Sequence, residues 1–175
     1  VVSLWNPINN TQKARNAINR ILNEKLKEFL EIFKSSDFQK FTYCAGPWEQ
    51  VNWAIFDIIC VNRYLTVLNK DLVNQDIEKL KKFKKPVFFS EIGCSTFEGS
   101  DLFGSTAYLY YDKSLRKDEI TQAKSIVYQI EQAKQKKLAG VILFTLLERH
   151  NDSKCDFSLV KSSEELSPKL ALKNV

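Results

Sequence analysis

The stretch KKPVFFSEIGC, Lys84 to Cys94, ends an apolar run on a bare carboxylate, Glu91, with Gly93 close behind. An acid there either marks where the chain reaches water or stands at the mouth of a pocket to do chemistry. Other apolar runs finish in the same manner. Trp48 and Glu49 follow KFTYCAG, Asn62, Arg63 and Tyr64 end FDIICVNRY, and Glu148 ends GVILFTLLE. Neighbouring parallel strands lie about 4.8 Å apart, so Glu91 and Glu148 can come close. Two unpaired carboxylates at that range push one pKa upward, as a general acid requires. Arg63 or Arg149 would instead neutralise them and turn the pair into a binding site or a structural network. Glu49 is a third candidate acid.

The elements that must position these residues follow from periodicity. TQKARNAINRILNEKLKEFLEIFKSS carries Ala14, Ala17, Ile18, Ile21, Leu22, Leu26, Phe29, Leu30 and Phe33 at helical spacing, which predicts a long amphipathic helix capped by Thr11. KFTYCAG reads as a short strand stopped by Gly46-Pro47, and FDIICVNRY as a strand apolar on both faces, which suits a buried parallel sheet. NQDIEKLKKFKK is a second helix and PVFFSE a third strand. A long loop runs from Gly93 to Lys117. KDEITQAKSIVYQIEQAKQKK is a third helix with Asp118 as its N-cap, GVILFTLLE a fourth strand, and SPKLALKNV a short terminal helix with Pro168 in its first turn. Strands alternating with helices predict an α/β fold on a parallel sheet. Two architectures satisfy that pattern: a small open doubly wound sheet, and part of a (β/α)8 barrel. In both, ligands bind at the C-terminal ends of the strands, where the polar residues named above fall.

Bulk properties bound the function. The chain has 175 residues, 44% of them hydrophobic, with 12 Phe, 6 Tyr and 3 Trp. That is enough for one globular domain spanning 1–175. No apolar run approaches the roughly 18 residues of a membrane span, and no signal peptide shows. The chain begins at Val1 and contains no Met, so it reads as a processed chain, a fragment or an incomplete record. The net charge of +5 comes almost entirely from Lys in helical stretches such as EKLKKFKK. A solvated helix face explains that better than a nucleic-acid surface, which would want clustered Arg and a recognisable module. Cys44, Cys60, Cys94 and Cys155 are widely spaced with no Cys-x-x-Cys. They read as free thiols of a reducing compartment, which points to the cytoplasm. His150, Asp152, Cys94 and Cys155 lack structural-zinc spacing, and no phosphate-binding Gly-rich loop appears. No metal and no cofactor is expected.

Three blocks, PWEQVNWAIFDIICVNRY, KKPVFFSEIGCSTFEGS and GVILFTLLERHNDSKCDFSLVK, resemble successive segments of a barrel family related to clan A glycoside hydrolases. Bacterial members of that family are often described as abortive-infection, or bacteriophage-resistance, proteins. The blocks run in order from Tyr43 to Lys161 and cover about two-thirds of the chain. The resemblance implies that the four strands are the fifth to eighth of a barrel. It further implies that Glu91, ending the seventh, is a catalytic nucleophile. A retaining glycosidase needs one ionised carboxylate to attack the anomeric carbon and a second to protonate the leaving group. Tyr64, ending the adjacent strand, could hydrogen-bond Glu91 and hold it ionised. Trp48 or Trp53 could stack on a sugar, or simply pack in the core. In the family the acid/base follows Asn in a Trp-x-Asn-Glu-Pro-like turn. Trp5, Asn6 and Pro7 look like that turn without its Glu, which leaves Glu148 and Glu49 as candidates for the second acid.

A whole barrel needs about 250 residues, so this chain has room for about half. Half a barrel exposes two sheet edges and an inner apolar face. The expectation is therefore a partner: a missing half-barrel on another segment, or a second copy. Two functions remain open, a glycosidase-type enzyme with Glu91 as nucleophile, and a non-catalytic relative that binds a glycan or a protein.

Overall fold

The computed structural model describes residues 12–34, 40–110, 114–147, 156–161 and 167–174. Four strands form one sheet: β1 (Cys44–Ala45), β2 (Ile59–Asn62), β3 (Val87–Ile92) and β4 (Gly140–Leu143). All neighbours pair in parallel and in sequence order, β1-β2-β3-β4. This is the open sheet of a partial barrel. The helices are α1 (Gln12–Phe33), α2 (Lys70–Lys81), α3 (Ala107–Tyr110), α4 (Glu119–Gln135) and α5 (Leu170–Lys173).

Side chains alternate across a strand, and the core follows that alternation. Ile59, Val61, Val87 and Phe89 face the helices and pack with Leu26 and Leu30 of α1 and Val73 and Ile77 of α2, and a register shift between Phe89 and Ile92 brings Ile92 into the same cluster. The opposite face carries Cys60, Phe88, Ser90 and Ile142. On it, Ile142 is 57% exposed. β4 is thus less buried than its apolar run predicts, because it is an edge strand with one neighbour. The same holds for α1. Leu26 and Leu30 are buried, yet Ile18, Ile21, Phe29, Ile32 and Phe33 form an exposed apolar stripe.

Several element boundaries differ from expectation for local reasons. β1 is only Cys44–Ala45, because Phe41 and Thr42 bond to Asp57 and Ile58 outside the ladder. No helix links β1 to β2. The connection carries a single 3-10 turn, Trp53–Ile55, whose carbonyls are gathered by the Lys85 ammonium through Trp53, Ala54 and Phe56. Lys85 therefore has a structural bond set rather than a purely solvated role. α2 starts at Lys70, one turn earlier than predicted, after a turn in which Thr66 and Asn69 bond reciprocally. α5 starts at Leu170. Pro168 lies outside it, in an antiparallel bridge with Val160. Asp118 caps α4 as expected, accepting from the Ile120 and Thr121 amides. Thr11, Trp5, Asn6 and Pro7 lie outside the described residues. Among the described residues no helix is long and apolar enough to cross a membrane.

Candidate functional site

Glu91 stands near the C-terminal end of β3, and Tyr64 follows β2 by two residues. The Tyr64 hydroxyl donates to Glu91 Oε2 at 3.1 Å. Burial first, and then the charge and hydrogen bond of Glu91, raise the Tyr64 pKa far above the ordinary phenol range. The tyrosine therefore remains a donor at any working pH. Beneath this pair the Ser90 hydroxyl donates to Asn62 Oδ1 at 2.8 Å. A register shift between Val61 and Asn62 places Asn62 opposite Glu91. The backbone amide of Arg63 donates to the Glu91 carbonyl at 3.0 Å. Aromatic rings wall one side: Tyr64 meets Phe157 edge-on at 5.9 Å, and Phe157 meets Phe144 edge-on at 5.9 Å.

Two close approaches explain glycines in the block around the acid. A Cβ on Gly93 would lie 2.4 Å from the Phe144 carbonyl oxygen, so only glycine lets the chain leave β3 against β4. A Cβ on Gly104 would lie 3.0 Å from the Tyr64 Cβ, and its φ of 54° favours glycine anyway. The loop after β3 is thereby held against the loop after β2.

Arg63, Trp48 and Glu49 are brought together elsewhere. Arg63 is one residue out of phase with Asn62 and Tyr64, so its side chain faces the helices. It lies 3.7 Å from Asp76 of α2. Burial lowers the Arg63 pKa, and Asp76 offsets part of that. Arg63, Trp48, Glu49, Asp76, Arg15 and Lys79 line a cavity of about 440 Å³ between α1 and α2. Neither Glu91 nor Tyr64 lines it. Glu49 accepts from the Tyr43 hydroxyl at 3.0 Å and from the Gly46 amide at 2.7 Å, so its two oxygens lock the turn after β1. Burial, then Glu49, raises the Tyr43 pKa to about 12. Trp53 is buried against Phe56 at 5.8 Å, which is the core-packing role. Trp48 is 48% exposed.

The expected rim thus separates into two groups: Tyr64, Glu91 and Asn62 at the ends of β2 and β3, and Trp48, Glu49 and Arg63 lining the cavity between α1 and α2. Glu148, Arg149, His150, Asp152 and Cys155 lie outside the described residues. Among the described residues the Glu91 carboxylate takes one side-chain hydrogen bond, from Tyr64, and Arg63 does not pair with it. No group of three or more His, Cys, Asp or Glu among them could hold a metal ion.

Sequence reasoning missed a polar layer beneath the site. Gln129 of α4 is 1% exposed. Its Oε1 accepts from the Leu65 amide at 3.2 Å, and its Nε2 donates to the Gly93 carbonyl at 2.9 Å. One side chain therefore ties the segment after Tyr64 to the segment after Glu91. Gln122, also buried, donates to the Cys94 and Ser158 carbonyls. The signal was present: Gln122, Ser125 and Gln129 sit among Ala123, Ile126 and Ala133 on the buried stripe of α4, where polar groups need a bonding reason.

The fold has solved counterparts. A GH113 β-1,4-mannanase matches with a TM-score of 0.66 at 20% identity, covering 86% of this chain and 48% of the mannanase. A second structure, a complex of a GH113 β-1,4-mannanase, matches with a TM-score of 0.63 at 21% identity, over 78% and 46% of the two chains. A GH2 β-galacturonidase from Eisenbergiella tayi, bound to galacturonate, matches with a TM-score of 0.64 at 18% identity, over 94% and 30%. No family model matches the chain, and no curated protein matches it. The neighbours carry the glycosidase side of the resemblance and not its phage-resistance side. This chain spans about half the length of the mannanases it matches. At these identities the likeness is one of fold: the chain has the fold of part of a glycoside hydrolase barrel.

Proposed function

We propose that this chain supplies the nucleophile side of a retaining glycosidase barrel, with Glu91 as the nucleophile. The observation that supports this most directly is the Tyr64–Glu91 hydrogen bond at the C-terminal ends of β2 and β3. Tyr64 engages Oε2, which leaves Oε1 for attack on an anomeric carbon. The phenol's hydrogen bond fixes the plane of the carboxylate. Attack forms a glycosyl-Glu91 ester, and a second carboxylate protonates the departing oxygen and later activates water. Glu148 is the proposed second acid. The substrate class is carbohydrate, and the other half of the barrel, on a further segment or a partner, completes the cleft.

The competing reading is a non-catalytic relative that binds a glycan or a protein. What favours it is Glu49, the alternative acid, whose two oxygens already serve Tyr43 and the Gly46 amide. Turnover of aryl glycosides by the longest form of the protein separates the two readings. Glu91→Gln keeps the shape and removes the charge, so it should abolish turnover while folding and glycan binding persist. Tyr64→Phe should lower kcat about 10- to 100-fold, since a hydrogen bond to a charged group is worth about 1.5–3 kcal/mol. Equal activity in wild type and Glu91→Gln removes the nucleophile. No activity in either, with glycan binding retained, leaves the binding module.

A further inference from the structure

Cys44 and Cys60 are register partners on the neighbouring strands β1 and β2. Partners in a parallel ladder project to the same face, and adjacent strands lie about 4.8 Å apart. A disulfide needs Cα atoms roughly 4.4–6.8 Å apart, so this spacing falls inside the window. Both thiols are free. Their surroundings differ: Cys44 is exposed at the sheet edge, whereas Cys60 is 8% exposed. We propose that Cys44 and Cys60 form a redox-active dithiol that exchanges with low-molecular-weight disulfides of the glutathione class.

The asymmetry in access sets the order of steps. The Cys44 thiolate attacks one sulfur of the small disulfide, and one small thiol leaves. The Cys60 thiolate then attacks the Cys44 sulfur of that mixed disulfide and expels the second small thiol. Two protein thiols become one disulfide, the small disulfide takes up the two electrons, and both protons end on the released thiols. Cys60 suits the second role. Burial raises its pKa, and the groups that interact with it are the Thr42 hydroxyl and the Cys44 thiol. It is thus a poor attacker of solutes but is held beside the one sulfur it must reach. The bond would fasten the two-residue edge strand β1 to β2, on the face that carries Asn62 two residues on. It depends on no glycosidase activity, and it belongs to this chain without the other half-barrel, since a strand paired to β1 would cover Cys44.

The test uses the full chain with Cys155→Ser, equilibrated in glutathione redox buffers, quenched in acid and alkylated. Peptide mass spectrometry should find the Cys44 and Cys60 peptides joined, two hydrogens lighter than the sum of the reduced pair. Cys94, 1% exposed, should remain alkylatable after unfolding. Cys60→Ala should stop the reaction at a glutathione adduct on Cys44, and Cys44→Ser should leave Cys60 reduced. Circular dichroism of both variants establishes that they fold. Four results overturn the proposal: both thiols still reduced in the most oxidising buffer, separate glutathione adducts on each, a Cys44–Cys44 link between two chains, or oxidation of Cys60 in Cys44→Ser.

Discussion

At Glu91 the chemistry of one residue depends on its neighbour's proton: the Tyr64 phenol stays protonated and so stays a donor. Lys169 and Asp156 show a second local balance. The Lys169 ammonium, 5% exposed in its side chain, bonds Asp156 Oδ2 at 2.5 Å and the Ser158 hydroxyl at 2.9 Å. Burial raises the Asp156 pKa, but bonds from Lys169 and Ser158 outweigh it and leave the carboxyl below its ordinary value. A carboxylate lowered in the folded state contributes stability fully above its unfolded pKa of about 3.9. That contribution is lost as the pH falls through the lower folded value. Lys169→Met should cost about 3 kcal/mol at pH 7, because it strands a partly buried charge. The gap from wild type should narrow below about pH 4 as Asp156 protonates. Urea titrations at both pH values measure this, and a gap independent of pH would refute it.

At the scale of elements, α4 does two jobs. Its start is set by Asp118, lowered in pKa chiefly by the Thr121 hydroxyl and then by backbone amides. Asp118→Ala should cost about 1 kcal/mol through the lost cap, while Asp118→Asn should cost less; chemical denaturation gives both. Its buried face positions the site. Gln129→Leu removes bonds to the Leu65 amide and the Gly93 carbonyl together, leaving two buried backbone groups unpaired. The expected loss is about 2–4 kcal/mol. Hydrogen exchange should accelerate at Leu65. Unchanged exchange there would mean that Gln129 is filler rather than a tie.

For the whole molecule, the exposed apolar surface is the dominant fact. Among the described residues β1 and β4 each have one strand neighbour, Ile142 of β4 and Leu146 just beyond it are exposed, and α1 carries an apolar stripe. A surface of that kind calls for a cover. This chain should therefore scatter light as a dimer or larger species, or bind a hydrophobic dye strongly. Supplying the first half of a barrel should suppress both. A cooperative monomer indifferent to the dye would show that the open sheet is sufficient alone.

How much was legible beforehand depends on the range of the interaction. Hydrophobic period and caps are local, so α1, α4 with its Asp118 cap, and the four strands in parallel order could be read from the residues. The pairing of Tyr64 with Glu91 was legible too, because both end adjacent strands. Strand alternation was equally available at Arg63, but its partner was not: Asp76 comes from α2, whose position only packing sets. Glu49 was readable as an acid, whereas its commitment to Tyr43 and Gly46 depends on how the turn folds back. The register that sets Cys44 against Cys60, and the reach of Gln129 to two strand ends, join residues far apart in the chain. Composition and periodicity determined which groups are present and which face they take. Only the tertiary structure decided which meet, because contacts between elements depend on packing that no local pattern records.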